Sequence, residues 1–505
     1  MPKRTSNILG VAGAAAMQVL ATHTLAQVPR LIGDLIPGPD PISSDATGFV
    51  QVGNAVIFNQ FGLYASDLDG GNPRLLAPKL LQYPVRVGGH VVLNLRSGCY
   101  SCNPIFWTTD GTPESTHAAA NGAQFGSLLF VRPLGVLNGR LIGRGTYGTA
   151  SPDPYSFDPV TNQFNFLTNS WNTGPSSPRF QGFAVGQSRG YFVNETGPSR
   201  LHATDGSPAG TSVVFSSDPA VDVAVVAVAA RGDDAIFVVQ TYDGTSQSEL
   251  WITSGTMEST RLIMTLPAFL VNFGVETSIG NRVVLIAQAD LESLAIVSDG
   301  TAVGTSFVPL SFRCHLDPSY SWNDGLSAIL GPRIILPSPR GGTDSQVFSF
   351  NIETLTESLL ATFVANPDGY SPVSFTRVGH RVYFTASDPD HGNELWQTDG
   401  TPEGTRMAAD INPGADSLHP RSLSAVGDRL FFFANDGHVG HEPWVLDTCG
   451  ADFNGDDLLN PDDLSDYINA YFNQAQGSRA DFNADGVTNH NDLTDYLSAF
   501  FNGCG

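Results

Sequence analysis

The chain has 505 residues, 53 of them Gly and 33 Pro, with 15% charged residues and a net charge of −24. So many turn formers at so low a charge density fit a turn-rich β protein and argue against a helical bundle or coiled coil, while a 41% apolar share is enough for a large core and argues against global disorder. Only Lys3 and Lys79 are lysines, and 49 acidic residues face 25 basic ones, which argues against a phosphate-binding nucleic-acid surface.

The N-terminus reads as a targeting segment. Lys3 and Arg4 form a short positive region, an apolar stretch runs from about Ile8 to Leu20, and Thr24-Leu25-Ala26 places small residues before Gln27. This is the layout of a signal peptide over residues 1–26, cleaved near Ala26, with an apolar run too short to span a bilayer comfortably. The mature chain is expected to start near Gln27 and to be secreted or held at the cell surface, where its five cysteines meet an oxidising compartment. No later stretch reaches transmembrane length.

From there to Asp447 one pattern recurs: a Val-Gly or similar turn, an alternating apolar strand, a variable turn, an aromatic strand and an Asp-Gly-Thr turn. The pre-strand turn falls at Gly53, Gly88, Gly139, Gly186, Gly232, Gly280, Gly331, Gly379 and Gly427, one interval being 35 residues and the others 46 to 51. The aromatic-strand position falls in phase with it, at Tyr64, Trp107, Tyr155, His202, Trp251, Ile296, Phe348, Trp396 and Trp444. Asp-Gly turns follow at Asp110, Asp205, Asp299 and Asp399. Four short extended segments per unit of about 48 residues are the arithmetic of a propeller blade.

The last unit runs from Trp444 straight into the tail and lacks a closing strand. Its counterpart lies at the other end of the chain, where the stretch from Pro29 to Gly38 reads like the one from Thr405 to Gly414, so the N-terminal strand is expected to complete the last blade and close the ring. The expectation is an all-β propeller of eight or nine four-stranded blades over residues 27–447, with the short first or the Pro-rich third unit as the one that falls short of a blade.

The units containing Glu249-Leu250-Trp251 and Glu394-Leu395-Trp396-Gln397-Thr398-Asp399-Gly400-Thr401 resemble the bacterial extracellular proteins named for an ELWxxDGT repeat. The resemblance covers roughly residues 29 to 447; it implies a secreted propeller and brings no catalytic residues with it. The motif residues are expected to have building roles, with a ligand or metal role for the turn aspartates as the alternative. The aspartate bonds its own backbone in an Asx turn, the glycine supplies positive φ, and the tryptophan packs between neighbouring sheets. The Ser-x-Asp-x-Gly-x-x-x-Trp box of sialidase propellers is a different arrangement, since here the Asp-Gly-Thr turn follows the tryptophan.

After Asp447 the composition changes: Cys449 to Gly505 holds ten Asp, no Glu and one basic residue, Arg479. Residues 451–473 and 480–502 are near duplicates offset by 29, each a twelve-residue oxygen-rich loop leading into a helix. In the first, Asp452, Asn454, Asp456, Asn460 and Asp463 occupy positions 1, 3, 5, 9 and 12, with the Leu458 carbonyl at position 7; in the second, Asp481, Asn483, Asp485, Asn489 and Asp492 do so, with the Val487 carbonyl. Hard oxygen ligands in this alternation suit Ca²⁺, one ion per loop, and would not serve Zn²⁺. Asp457 stands at position 6 of the first loop, where the sharp turn prefers Gly, which weakens that site. The helices carry apolar stripes, Leu464, Tyr467, Ile468, Tyr471 and Phe472, then Leu493, Tyr496, Leu497, Phe500 and Phe501, expected to pack on each other.

Two such loops resemble a dockerin module, covering residues 448–505 and of the variety that begins near Thr-Cys-Gly and ends in Gly-Cys. Cys449 and Cys504 bracket the duplicate, and a disulfide joining them would stabilise a small all-α module by ~4 kcal/mol in the chain-entropy model. Cys99 and Cys102 suit a structural turn disulfide; Cys314 is then left over, either as a buried thiol or as a partner of Cys102. The dockerin resemblance implies a cohesin-like or cell-envelope protein as partner. The recognition positions 10 and 11 hold Pro461 and Asp462, then His490 and Asn491, which depart from the Ser/Thr of that family and from each other.

The functional expectation is a secreted, non-enzymatic recognition or adhesion propeller for a protein or glycan ligand, tethered through a calcium-dependent tail. Two alternatives stand beside it. One is an extracellular polysaccharide-processing enzyme component carried by the same tail, which a pair of carboxylates in a central pocket would favour. The other is a structural surface-layer component.

Overall fold

The structure is a computed structural model that describes residues 23–24, 29–35, 47–79, 81–95, 106–119, 128–147, 153–168, 183–194, 198–218, 220–242, 246–289, 292–312, 326–339, 344–364, 372–410, 420–453, 458–473, 480, 482 and 488–502. The turns and strands laid down by the sequence fold into nine four-stranded antiparallel sheets among these residues. In eight of them the strands follow one another in chain order, as in the first blade, Thr47–Val52, Ala55–Asn59, Leu63–Asp67 and Arg74–Ala77, and the eighth, Val373–Val378, Arg381–Asp388, Gly392–Thr398 and Arg406–Ala409. The ninth uses Arg421–Val426, Arg429–Asn435 and His441–Asp447 and takes its fourth strand, Arg30–Leu31, from the N-terminal end of the chain.

Neighbouring blades pack on each other around a ring: Thr47–Val52 contacts both Leu81–Val87 of the second blade and Arg421–Val426 of the ninth, and one apolar seam joins the sixth blade to the seventh. The chain is therefore a nine-bladed β-propeller closed by its N-terminal strand. Arg30 and Leu31 pair with Val445 and Trp444, Ile32 donates its N–H to the Pro443 carbonyl at 2.9 Å, and Leu35 donates to Glu442 Oε2 at 3.0 Å. Ile32 then enters the apolar seam shared by Phe49 and Phe58 of the first blade and Phe431 and Val445 of the ninth. Pairing and packing together remove the edge that the ninth blade would otherwise expose.

Neither unit singled out as deficient is so. The first is a complete sheet, and the third, Leu128–Leu137, Arg140–Tyr147, Asp153–Asp158 and Gln163–Phe166, accommodates Pro133 at a register shift of its innermost strand, where a missing N–H costs no regular ladder bond.

The landmark glycines turn the first strand of each blade into the second. Gly379 and Gly427, at φ 57° and 60°, occupy the left-handed conformation that a tight hairpin demands there. The aromatic positions all lie in third strands, and the fourth strand is bulged beside Tyr64, His202, Trp251, Phe348 and Trp396. The tryptophans fill the seams between sheets as their size requires: Trp444 lies among Val378, Tyr383 and Leu395 of the eighth blade and Leu430 and Phe432 of its own.

The Asp-Gly-Thr turns have the expected construction. Asp110, Asp205, Asp299 and Asp399 accept the N–H two residues on at 3.0, 2.7, 2.9 and 2.9 Å. A second element of the motif is a hydroxyl pair seven residues apart, Thr109 with Thr116, Thr204 with Thr211, Ser298 with Thr305 and Thr398 with Thr405, at 2.7 to 2.8 Å. It ties the end of the third strand to the start of the fourth, so the motif residues are consumed in building blades.

Beyond Asp447 the described residues form two helices, α1 (Pro461–Asn473) and α2 (His490–Asn502), and a two-residue strand, Leu458–Leu459, paired antiparallel with His23–Thr24. His23 and Thr24 belong to the segment expected to be removed with the signal peptide, so cleavage near Ala26 would release this pairing. No helix among the described residues is long and apolar enough to cross a membrane.

Candidate metal centre

The tail is built as two copies related by the 29-residue offset, and its contacts repeat with that offset. Tyr467 of α1 and Tyr496 of α2 stack with ring centroids 3.7 Å apart and planes 5° from parallel. The Tyr467 hydroxyl donates to the Ala480 carbonyl at 3.3 Å and the Tyr496 hydroxyl to the Ala451 carbonyl at 3.2 Å, so each helix holds the start of the other copy's loop. Leu464, Ile468, Tyr471, Leu493, Leu497 and Phe500 pack around this pair, as the apolar spacing predicts. Phe472 and Phe501 do not: they are 71% and 62% exposed. Eight residues along a helix carry a side chain about 80° round from the first, which takes these two off the edge of the buried stripe.

The helix starts are equally duplicated. Asn460 Oδ1 accepts the Asp462 N–H at 2.7 Å, and Asp463 Oδ2 accepts the Asn460 N–H at 2.9 Å. In the second copy Asn489 Oδ1 accepts from Asn491 at 2.8 Å and Asp492 Oδ2 from Asn489 at 2.7 Å. Positions 9 and 12 of each loop thus form a reciprocal cap that fixes both side chains against the first turn of the helix. Asp463 and Asp492 have no exposure to solvent at all, and neither does Asp452 at position 1 of the first loop.

Asp452 is held from outside the tail. Arg381 Nη2, on the second strand of the eighth blade, donates to Asp452 Oδ2 at 2.8 Å, and the arginine side chain is only 5% exposed. Burial works against the guanidinium's charge, but Tyr383 and Asp452 beside it outweigh that and raise its pKa. Nη1 of the same guanidinium is buried with no partner among the described residues. The neighbouring His380 ring lies 5.9 Å from Phe453, and Thr448 donates from both its N–H (3.0 Å) and its hydroxyl (2.7 Å) to the Asp428 carbonyl. The tail therefore sits on the hairpin turns of the eighth and ninth blades, seated by one buried ion pair. Burial raises the Tyr496 hydroxyl far above its ordinary pKa, with Asp463, Tyr467 and Asp452 adding to the shift.

Of the twelve predicted ligands, Asp452, Leu458, Asn460, Asp463, Asn489 and Asp492 lie in the described part of the structure, while Asn454, Asp456, Asp481, Asn483, Asp485 and Val487 fall outside it. Among the described residues no cluster of three or more His, Cys, Asp or Glu side chains has the arrangement of a metal site. The residues that are placed offer oxygen donors alone, with both helix-capping carboxylates withdrawn from water, and that donor chemistry fits a hard cation. Cys449 is buried and disulfide-bonded; Cys99, Cys102, Cys314 and Cys504 lie outside the described residues. The docking positions Asp462, His490 and Asn491 are exposed, and Pro461 is half-buried.

The fold and the site define a nine-bladed propeller with a duplicated helical tail. No family model matches the chain, and no curated protein does. Many solved structures are similar in fold. An oligogalacturonate lyase in complex with manganese is 14% identical, with a TM-score of 0.34, over 61% of this chain and 85% of its own. A puromycin hydrolase is 14% identical, with a TM-score of 0.40, over 78% of this chain and 58% of its own. The computationally designed Ika8 protein is 13% identical, with a TM-score of 0.38, over 81% of this chain and 98% of its own.

Proposed function

We propose that the chain is an exported recognition or adhesion propeller of the ELWxxDGT-repeat type, carried on a dockerin-like tail that binds two Ca²⁺ ions and tethers it to a protein assembly or to the cell surface. The observation that carries this reading is the duplicated cap, in which Asp463 and Asp492 are buried to the same extent and bonded to the same loop position. Capping a helix does not require burying the carboxylate, whereas closing an oxygen cage around a cation does. Asp452, Asn454, Asp456, Leu458, Asn460 and Asp463 would hold one ion, and Asp481, Asn483, Asp485, Val487, Asn489 and Asp492 the other. The ions would neutralise the loop carboxylates and fix the helix pair, and a disulfide from Cys449 to Cys504 would clasp its ends.

Phe472 and Phe501, exposed at equivalent places on α1 and α2, supply the apolar anchors that a docking face needs. In the propeller the motif residues are occupied in turns and seams, which favours recognition by its loops over chemistry at the repeat. The test is capture from the organism's own envelope and secreted fractions on the immobilised full chain, with calcium or with chelator. One discrete partner retained only with calcium, and lost in a Phe472→Ser, Phe501→Ser variant, supports the reading. Capture indifferent to chelator and to both substitutions refutes it.

A further inference from the structure

We propose that Arg381 acts as a built-in counter-cation for the first calcium loop, so that the propeller competes with Ca²⁺ for Asp452 and lowers that loop's affinity. The inference rests on the calcium reading given above. The ligand at position 1 is fully buried and its Oδ2 is already held, at 2.8 Å, by a guanidinium that is itself 5% exposed. A buried carboxylate needs a positive partner, and here the propeller supplies one. A divalent ion taking the same carboxylate would meet a unit positive charge a few ångströms away, in a setting where water screens little.

Binding to the first loop and seating of the tail are thereby coupled, and the coupling is reciprocal. Whatever the arginine subtracts from calcium affinity, calcium subtracts from the hold of the eighth blade on the tail. Thr448 on the Asp428 carbonyl and Phe453 against His380 also hold the tail, without drawing on Asp452's charge. Arg381 is a positioning residue: it acts on the ion through the Asp452 carboxylate.

The experiment is calorimetric titration of the full chain with calcium chloride, in an Asp492→Asn background where only the first loop titrates. Replacing Arg381 by Met should tighten the first-loop affinity by ~10-fold or more, and Arg381→Lys, which keeps the charge, should leave it close to the parent. The effect should vanish when Asp452→Asn is added, because it passes through that carboxylate. The thermal gain on adding calcium should also be larger in the Met variant than in the parent, which confirms that the variant is folded. An affinity unchanged or weakened by Arg381→Met overturns the inference while leaving the calcium reading standing. A parent chain that takes up no calcium in either loop overturns both.

Discussion

Replacing His202 by Phe should remove a defined part of the acid sensitivity of the propeller. His202 occupies the aromatic position of the fourth blade, stacked on Phe192 at 4.9 Å with planes 3° from parallel, and its Nδ1 is buried with no partner among the described residues. Burial, with Arg200 adding its charge, pushes the imidazole down from 6.5 to about 4. A base whose folded pKa is depressed leaves the native state neutral while the unfolded chain takes up a proton, so stability is lost as pH falls from 6.5 towards 4. At 1.36 kcal/mol per pKa unit the loss reaches about 2 kcal/mol by about pH 5 and about 3 kcal/mol near pH 4. Phenylalanine has the size and stacking geometry for the site and nothing to titrate. The assay is urea unfolding of both proteins at neutral pH and near pH 5, with the shift between the two conditions compared. The variant's free energy should fall by about 2 kcal/mol less than the parent's on acidification, and it should be no less stable at neutral pH. Equal acid shifts in the two proteins would refute the reasoning, because they would mean that His202 is as free to protonate in the fold as out of it.

Glu276, on the first strand of the sixth blade, titrates in the opposite sense. Burial raises it to about 7 although its carboxylate accepts the Val228 N–H at 3.2 Å, so stability is lost as pH rises from 4.5 through 7. Glu276→Gln should therefore gain up to about 3 kcal/mol above about pH 7, read as a higher urea midpoint, and gain nothing near pH 4. Thr405→Val removes the hydroxyl bonded to Thr398 at 2.7 Å and to the Thr401 carbonyl at 2.6 Å; it should cost about 1–2 kcal/mol, measured by urea unfolding. A chain shortened to begin at Gly38 lacks the strand that closes the ninth blade, and it should unfold earlier and self-associate on size-exclusion chromatography through the bared edge at Trp444.

The blade count was legible to within one because a hairpin glycine and a third-strand aromatic recur in phase, and each is forced by local geometry: a left-handed turn in one case, the seam between sheets in the other. Gly186 keeps the interval and lies in its hairpin turn, but without the left-handed conformation. Its hairpin runs from Val185 to Gly190, and its own N–H donates to the Arg189 carbonyl at 2.8 Å. Closure was legible too, since Arg30 and Leu31 repeat the pattern of Arg406 and Met407 and take the equivalent edge position. The doubt over the first and third units came from judging a blade by length and proline content, whereas four strands of four to six residues make a full sheet of the first, and a bulge absorbs the proline of the third. Arg381 was invisible for a different reason. In sequence it is one polar residue at the head of a blade strand, and its partner lies 71 positions away in a separate module. Phe472 and Phe501 were misread because the stripe was extended one position beyond what the pitch of a helix keeps on one face.

Calcium stoichiometry of the folded full chain tests the central claim most directly. Equilibrium dialysis with metal analysis should give two ions per chain, falling to one in Asp463→Ala and in Asp492→Ala and to none in the double variant, with the propeller's unfolding unchanged. A chain that binds no calcium at neutral pH, or one whose uptake is indifferent to both substitutions, would contradict the account.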